Sequence, residues 1–178
     1  MKIRWNKVFN FFLLMILLVI LAGFQNTFWY QLFGTVPAPM LWLCMVVYVA
    51  LYRKLYGALF TIYIMSLAIM GFTVMPVKML LLTLLFVFLI LYTIRSRVFW
   101  DGPAYYTLMC IVASVSYHII YFLGSWMMER NSAPLEFWDR IIQLVLTPAF
   151  CLPLFTILSK IDKLTLDELT TETRGYDL

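Results

Sequence analysis

The chain of 178 residues is 64% apolar and only 12% charged, against about 45–50% and about 25% in ordinary soluble domains. A globular chain of this length cannot hide so much apolar surface, because a large part of a small domain's surface stays solvated. The composition therefore excludes an ordinary soluble domain and predicts an integral membrane protein.

The net charge of +4 comes from 13 Lys and Arg against 9 Asp and Glu. A basic excess can indicate a nucleic-acid partner. Here the basic residues form short clusters between apolar runs rather than one stripe or patch. We therefore expect no nucleic-acid partner, and we interpret the clusters as topology signals.

Three cysteines, Cys44, Cys110 and Cys151, all lie inside apolar runs. They show no CxxC spacing and have no nearby histidine, so the sequence indicates neither a zinc site nor a disulfide framework. We interpret them as buried free thiols and expect no metal and no cofactor.

The N-terminus has the charge pattern of a signal peptide, since Lys2, Arg4 and Lys7 precede the apolar run 8–24. Leu21-Ala22-Gly23-Phe24 is a poor small-residue cleavage site, and five more apolar stretches follow. We interpret this segment as an uncleaved first span.

A transmembrane helix needs about 20 residues, with a usable range near 17–25. The apolar stretches predict spans at residues 8–24, 36–52, 55–75, 77–94, 103–128 and 137–159. The second is short, because its apolar run starts only around Pro39. The predicted fold is an all-α compact bundle of about six transmembrane helices, covering residues 1–163, with a polar cytoplasmic tail at 164–178.

Basic residues alternate strongly between the two sides of this bundle. Because cytoplasmic loops carry the excess of Lys and Arg, the side that has ten of them is predicted to be cytoplasmic, with both termini on it. These ten are Lys2, Arg4, Lys7, Arg53, Lys54, Arg95, Arg97, Lys160, Lys163 and Arg174; the other side has Lys78, Arg130 and Arg140.

The first outer loop, residues 25–38, has no charge but carries Phe28, Trp29, Tyr30 and Phe33. Tyr and Trp favour the headgroup layer, so one interpretation is an interfacial segment in the outer leaflet. The alternative is an aromatic contact surface for a partner, since exposed aromatic residues are typical binding anchors.

The fifth span carries one polar stripe, because Ser114, Tyr117, His118 and Tyr121 are spaced at i, i+3, i+4 and i+7. Such a stripe is expected to face protein rather than lipid. The lone His118 is best interpreted as a hydrogen-bonded packing residue; a ligand pocket or a partner contact is the alternative.

Groups for catalysis at depth are almost absent from the sequence. No Asp, Glu, Lys or Arg lies in the middle of a predicted span, where each would cost about 2.5–3.5 kcal/mol. No phosphate-binding, nucleophile-elbow, zinc-protease or paired-carboxylate motif occurs. We therefore expect no enzyme. In the last span, Pro148 and Pro153 each remove a backbone donor, which predicts a bent helix.

Two stretches resemble the rod-shape-determining MreD family of bacterial inner-membrane proteins. In the second span, Pro39 precedes an apolar run through Leu51 and the basic turn Arg53-Lys54 with Gly57. In the last span, Phe137-Trp138 precedes Pro148 and an apolar run that ends in Lys160. Leu67 and Gly71 depart from the family, in which many members carry an acidic residue before a Gly-rich turn.

This resemblance implies a non-enzymatic scaffold of the bacterial cell-elongation machinery. Its expected partners are an MreC-like bitopic membrane protein, membrane lipids and, indirectly, the cell-wall synthases and the actin-like filament. The candidate contacts are the aromatic segment, the polar stripe and the start of the last span: Phe28, Trp29, Tyr30, Phe33, Ser114, Tyr117, His118, Tyr121, Phe137, Trp138, Asp139 and Arg140.

The family is similar in fold to the substrate-binding subunits of energy-coupling-factor vitamin transporters, which gives the alternative function. A vitamin would then be held near Tyr117, His118 and Trp126. Such subunits resemble one another in an Ala-xxx-Ala pair on the first span, where this chain has only Ala22-Gly23. This difference favours the scaffold.

Overall fold

The computed structural model describes residues 2–73, 75–98, 100, 102–128 and 137–165. All regular secondary structure in these residues is helical, without a strand, which confirms the predicted all-α membrane bundle. The helices are α1 (Lys2–Gly23), α2 (Trp29–Phe33), α3 (Leu41–Tyr52), α4 (Leu55–Ile69), α5 (Val77–Arg95), α6 (Pro103–Met128) and α7 (Phe137–Thr165). A π-helical turn at Phe24–Phe28 joins α1 to α2, and a 3-10 turn at Met70–Phe72 extends α4.

Five helical stretches are long and apolar enough to cross a bilayer: Trp5–Phe33, Leu55–Phe72, Val77–Arg95, Pro103–Met128 and Phe137–Thr165. Each exposes large apolar side chains on its outer face, for example Ile16, Phe60, Leu85, Ile119 and Leu152. Exposed apolar faces on every long helix are stable in lipid and not in water. The chain is therefore a multi-pass membrane protein.

The first span is longer than its sequence predicted, because the helix does not stop at Phe24. It continues through the π-helical turn and α2 to Phe33. The predicted outer loop at residues 25–38 is thus helical over most of its length. Only Gly34, which has a positive φ of 63°, ends the helix, in a conformation that glycine adopts without steric cost.

The predicted second span, residues 36–52, is wrong as a continuous helix. Pro37 and Pro39 keep the chain non-helical until Leu41, because each proline lacks a backbone donor and restricts the residue before it. The helix that follows, α3, has 12 residues and is about 18 Å long, short of the roughly 30 Å hydrocarbon core.

Helix α3 is the centre of the bundle and contacts α1, α4, α5, α6 and α7. All its residues from Leu41 to Leu51 are buried. A helix surrounded by other helices needs no polar face, which explains why Leu41–Tyr52 is apolar on every side. The non-helical residues 34–40 and this short central helix therefore stand where the sequence predicts one continuous span.

Because α3 begins inside the bundle, its first backbone N–H groups need partners there. The Leu41 N–H donates to Gln25 Oε1 at 3.1 Å, and the Met40 N–H donates to Thr147 Oγ1 at 3.1 Å. Gln25 lies in the π-helical turn, and Thr147 lies just before Pro148 in α7. Side chains from two other helices thus cap α3.

The other end of α3 is capped by Arg95 from α5. Its Nη1 donates to the carbonyl oxygens of Ala50 at 3.1 Å and Arg53 at 2.8 Å. A cation at a helix C-terminus also complements the helix dipole. Both ends of this short helix are therefore held by polar side chains of the longer helices.

A polar cluster, which we define as Asn10, Tyr48, Arg53, Asp162 and Thr165, joins α1, α3 and α7. Asp162 Oδ1 accepts from Arg53 Nη2 at 2.7 Å and from Asn10 Nδ2 at 2.9 Å, while its Oδ2 accepts from the Tyr48 hydroxyl at 2.9 Å. The Asn10 amide also contacts Thr165 and Arg53. The start of α1 and the end of α7 therefore lie at the same end of the bundle.

The last helix runs without interruption from Phe137 to Thr165, with Pro148 and Pro153 inside it. It extends six residues beyond the predicted end at residue 159. The bend predicted at the two prolines stays a prediction. Residues 166–178, which make up most of the predicted tail, lie outside the described residues.

Candidate partner-binding groove

The polar stripe of α6 divides between the bundle interior and its surface. Ser114 and Tyr117 are buried, and the Tyr117 ring packs edge-to-face on Trp42 of α3, with 5.4 Å between the ring centroids. Its hydroxyl contacts Met75 Sδ at 3.8 Å. These two residues therefore contact other parts of the same chain rather than a partner.

His118 and Tyr121, the other two members of the stripe, line a groove between α6 and α7. The groove has a volume of about 340 Å³. Its walls are formed by apolar side chains of both helices, with Arg140 near the start of α7: the lining residues are Val115, His118, Ile119, Tyr121, Phe122, Leu123, Phe137, Arg140, Ile141 and Leu144. Because Ile119, Leu123 and Phe137 are exposed, the groove opens to the surface of the bundle.

The His118 imidazole is half-buried in this groove, and neither ring nitrogen has a hydrogen-bond partner among the described residues. The prediction that it is a hydrogen-bonded packing residue is therefore not met within this part of the chain. An unpaired polar group away from water costs about 1–3 kcal/mol. A molecule that supplied a hydrogen bond to the ring would recover that cost.

Arg140 is the cationic member of the groove, and its Nη1 donates to Gln143 Oε1 at 3.4 Å. Phe137 and Trp138 precede it and are 62% and 75% exposed, with their rings packed edge-to-face. Asp139, between them and Arg140, is partly buried. The start of α7 therefore presents two exposed aromatic rings beside the groove, with Asp139 and Arg140 next to them. That these residues contact a partner stays a prediction.

The aromatic segment of the first span is only partly available to a partner. Phe28, Tyr30 and Phe33 are each about half exposed, but Trp29 is 4% exposed. The Trp29 indole donates to the Val36 carbonyl at 3.0 Å and packs against Phe33 and Phe150. The hypothesis that Trp29 is a surface anchor is therefore wrong, since it packs the chain after α2 against α7.

The pocket considered for a vitamin is not assembled as the sequence suggested. Tyr117 is buried against α3, His118 lines the groove, and Trp126 is exposed and is not among the groove's lining residues. Residues that share one helix stripe in sequence point to different environments, because α7 covers only part of α6.

The structure also brings together a set that the sequence gave no reason to group. Cys44, Cys110 and Cys151 lie on α3, α6 and α7, and their sulfur atoms are all within 4.8 Å of one another. Spacing rules find ligands that are close in sequence, whereas these three are joined only by helix packing.

Compared with known proteins, the chain matches no protein-family model, no curated protein and no solved structure.

Proposed function

We propose that this protein is a non-enzymatic scaffold of the bacterial inner membrane. It binds the transmembrane helix of an MreC-like bitopic protein, and it helps regulate cell shape and lateral cell-wall synthesis. The observation that carries the proposal is the α6–α7 groove with the unpaired His118. A bitopic partner contributes one helix, and a shallow groove between two helices is the surface on which one more helix packs.

The chemistry of the groove supports a helix as its occupant. Association in lipid depends on close packing and on hydrogen bonds between helices, because lipid is as apolar as the side chains. The groove supplies an apolar wall through Val115, Ile119 and Leu144, and His118 in the same wall has two buried ring nitrogens without a partner among the described residues. A partner helix with a small or hydroxylated residue at that depth would pack closely on this wall and supply the missing hydrogen bond to His118.

The interior of the bundle supports a structural role as well. Aromatic side chains pack together at its centre: the rings of Tyr48, Tyr106 and Phe155 are in contact between α3, α6 and α7. Filled interiors keep a single rigid arrangement. A rigid bundle is what presentation of one docking face to a partner requires.

The sign of the basic clusters supports the proposed orientation. Arg53 and Arg95 lie together at the end of the bundle that contains Asn10 and Thr165, as the contacts of Arg95 with the Arg53 carbonyl and of Arg53 with Asn10 require. By the positive-inside rule this end belongs in the cytoplasm. The groove then lies toward the periplasmic half, next to the start of α7.

The test is co-purification of the full chain with an MreC-like partner from the same bacterium, using Val115→Phe to fill the groove. Overpacking a fitted surface costs about 1–3 kcal/mol, so we expect the affinity for the partner, and with it its recovery, to fall by about 5-fold to about 150-fold. His118→Leu is expected to reduce recovery by a smaller factor, since it removes only the hydrogen bond.

The matched control is Val19→Phe on the lipid-facing side of α1, where Val19 is 45% exposed against 39% for Val115. It makes the same substitution at a similar exposure and should leave recovery unchanged. Equal recovery for both phenylalanine variants would show that the groove does not bind the partner.

The alternative, a vitamin-binding subunit of an energy-coupling-factor transporter, is favoured by one observation. The groove's volume of about 340 Å³ falls within the roughly 300–1,000 Å³ of small-molecule sites. Native mass spectrometry of the purified chain separates the two functions. The scaffold predicts only lipid adducts, and a bound vitamin in stoichiometric amount would reverse the order of the two proposals.

A further inference from the structure

The cysteine cluster, which we define as Cys44, Cys110 and Cys151, contains every cysteine of the chain. The three residues are at most 1% exposed, and the sulfur atoms of Cys44 and Cys151 are 3.6 Å apart. They come from three different helices and from sequence positions separated by 41 residues or more. Burial alone accounts for each cysteine separately, but it does not account for their convergence on one point.

We propose that the cysteine cluster binds one soft monovalent metal ion of the Cu(I) class. Three sulfur ligands around one ion at about 2.3 Å would be about 4 Å apart. The observed separations, 3.6 Å for one pair and up to 4.8 Å for the set, bracket that spacing. Small rotations of the cysteine side chains, which move each sulfur by less than about 1 Å, would therefore bring the three ligands to that spacing.

The ligand type and number select the ion. Thiolate ligands favour soft ions such as Cu(I) and zinc, whereas Mg²⁺ and Ca²⁺ require oxygen ligands. Structural zinc sites are almost always four-coordinate, and the cluster of His, Cys, Asp and Glu ligands found within the described residues stops at three cysteines. Cu(I) accepts three sulfur ligands, so the set suits it better than it suits zinc.

Binding exchanges protons for the ion, because the thiolate and not the thiol is the metal ligand. Each cysteine that coordinates the ion loses its proton to solvent and forms a metal–thiolate bond. Loss of the first proton balances the single positive charge of the ion, and each further loss adds a negative charge among apolar residues, which is costly.

The backbone around the cluster holds the ligands in place. The Tyr106 hydroxyl donates to the Cys44 carbonyl at 2.9 Å, and the Cys151 thiol donates to the Thr147 carbonyl at 3.3 Å. Thr147 in turn accepts from the Met40 N–H at the start of α3. A bound ion would therefore join α3 to α6 and α7 close to the start of α3, where Thr147 of α7 caps this short helix.

The experiment uses the full chain in detergent micelles, reduced and free of oxygen, titrated with Cu(I) in competition with a chromophoric Cu(I) chelator. We expect one ion per chain, and X-ray absorption should show a first shell of sulfur at about 2.3 Å. Cys44→Ser, Cys110→Ser and Cys151→Ser should each weaken binding by more than the roughly 10–100-fold that loss of an outer-shell contact costs.

The control is Met127→Leu, because thioethers also bind Cu(I) and the chain has 11 methionines. Met127 is 78% exposed, and its loss should leave the affinity unchanged. Binding that persists undiminished when all three cysteines are serine would overturn the proposal, as would failure of the folded wild-type chain to bind Cu(I).

A second measurement covers serine variants that do not fold. An ion that binds only the folded state raises its thermal stability by mass action, so Cu(I) should raise the unfolding midpoint of the wild-type chain. A midpoint that Cu(I) leaves unchanged at stoichiometric excess would also overturn the proposal. Neither measurement involves the α6–α7 groove. A failure of the metal proposal can therefore be distinguished from a failure of the proposed scaffold function.

Discussion

Asp162→Ala is expected to destabilise the bundle by about 3 kcal/mol, the lower part of the range for removal of one partner from a buried ion pair. The Asp162 carboxylate accepts hydrogen bonds from Arg53, Asn10 and the Tyr48 hydroxyl. Its loss leaves the Arg53 guanidinium, whose side chain is only 21% exposed, without a counter-charge. Unfolding in mixed micelles, followed by circular dichroism, measures the effect.

The matched control is Lys163→Ala, which removes an exposed charge from the next residue of α7 and should change stability by less than about 0.5 kcal/mol. Replacing both partners, Arg53→Met with Asp162→Leu, should lie closer to the wild type than Asp162→Ala, because no buried charge is left unpaired. If Asp162→Ala and Lys163→Ala were equally stable, the polar cluster would not hold α1, α3 and α7 together.

The double variant Gln25→Leu with Thr147→Val is expected to destabilise the chain by about 1–3 kcal/mol. Thr147→Val removes the side-chain acceptor of the Met40 N–H, and a buried donor left without a partner costs about that much. Gln25→Leu removes one of two acceptors of the Leu41 N–H, which also donates to the Pro39 carbonyl at 2.9 Å, so it contributes less. Water cannot replace the lost partner inside the bilayer. The same unfolding measurement applies to the double variant and to each single variant.

Thr147→Ser keeps the acceptor oxygen and should retain more stability than Thr147→Val. Gln31→Leu, at an exposed position of α2, is the control for loss of a glutamine and should have little effect. A double variant as stable as Gln31→Leu would mean that the start of α3 does not depend on these two caps.

The sequence predicts the outer parts of the fold well because lipid imposes simple rules. Apolar length and flanking charges place the long helices, and the predicted starts at residues 55, 77, 103 and 137 coincide with Leu55, Val77, Pro103 and Phe137. A proline or a basic turn next to each apolar run marks these ends.

The same rules do not predict the central helix, because α3 is surrounded by protein rather than by lipid. A segment in contact with protein on all sides is as apolar as one in contact with lipid, so Leu41–Tyr52 was predicted to be part of an ordinary span. Pro37 and Pro39 are the signal that shortens it. Gln25, a polar residue at the end of an apolar run, is the signal that the backbone at the start of α3 needs a hydrogen-bond partner.

The candidate sites depend on packing between helices that are distant in sequence. The stripe at Ser114, Tyr117, His118 and Tyr121 was predicted to face protein, and the structure shows that Ser114 and Tyr117 do so within the chain while His118 and Tyr121 line the groove. Trp29 and Asp162 could not be placed from local pattern. An aromatic residue near a span end and an acid just beyond a span end are both common at exposed positions.

The proposed topology has six crossings, the second made by the segment 34–40 and α3. Single cysteines introduced one at a time by Thr35→Cys, Lys54→Cys, Ser96→Cys, Met128→Cys and Leu164→Cys, all at exposed positions, test this with a membrane-impermeant maleimide on intact cells. We expect Thr35→Cys and Met128→Cys to be labelled from outside, and the other three to be labelled only after the membrane is opened. Labelling of Lys54→Cys together with Thr35→Cys on intact cells would contradict it.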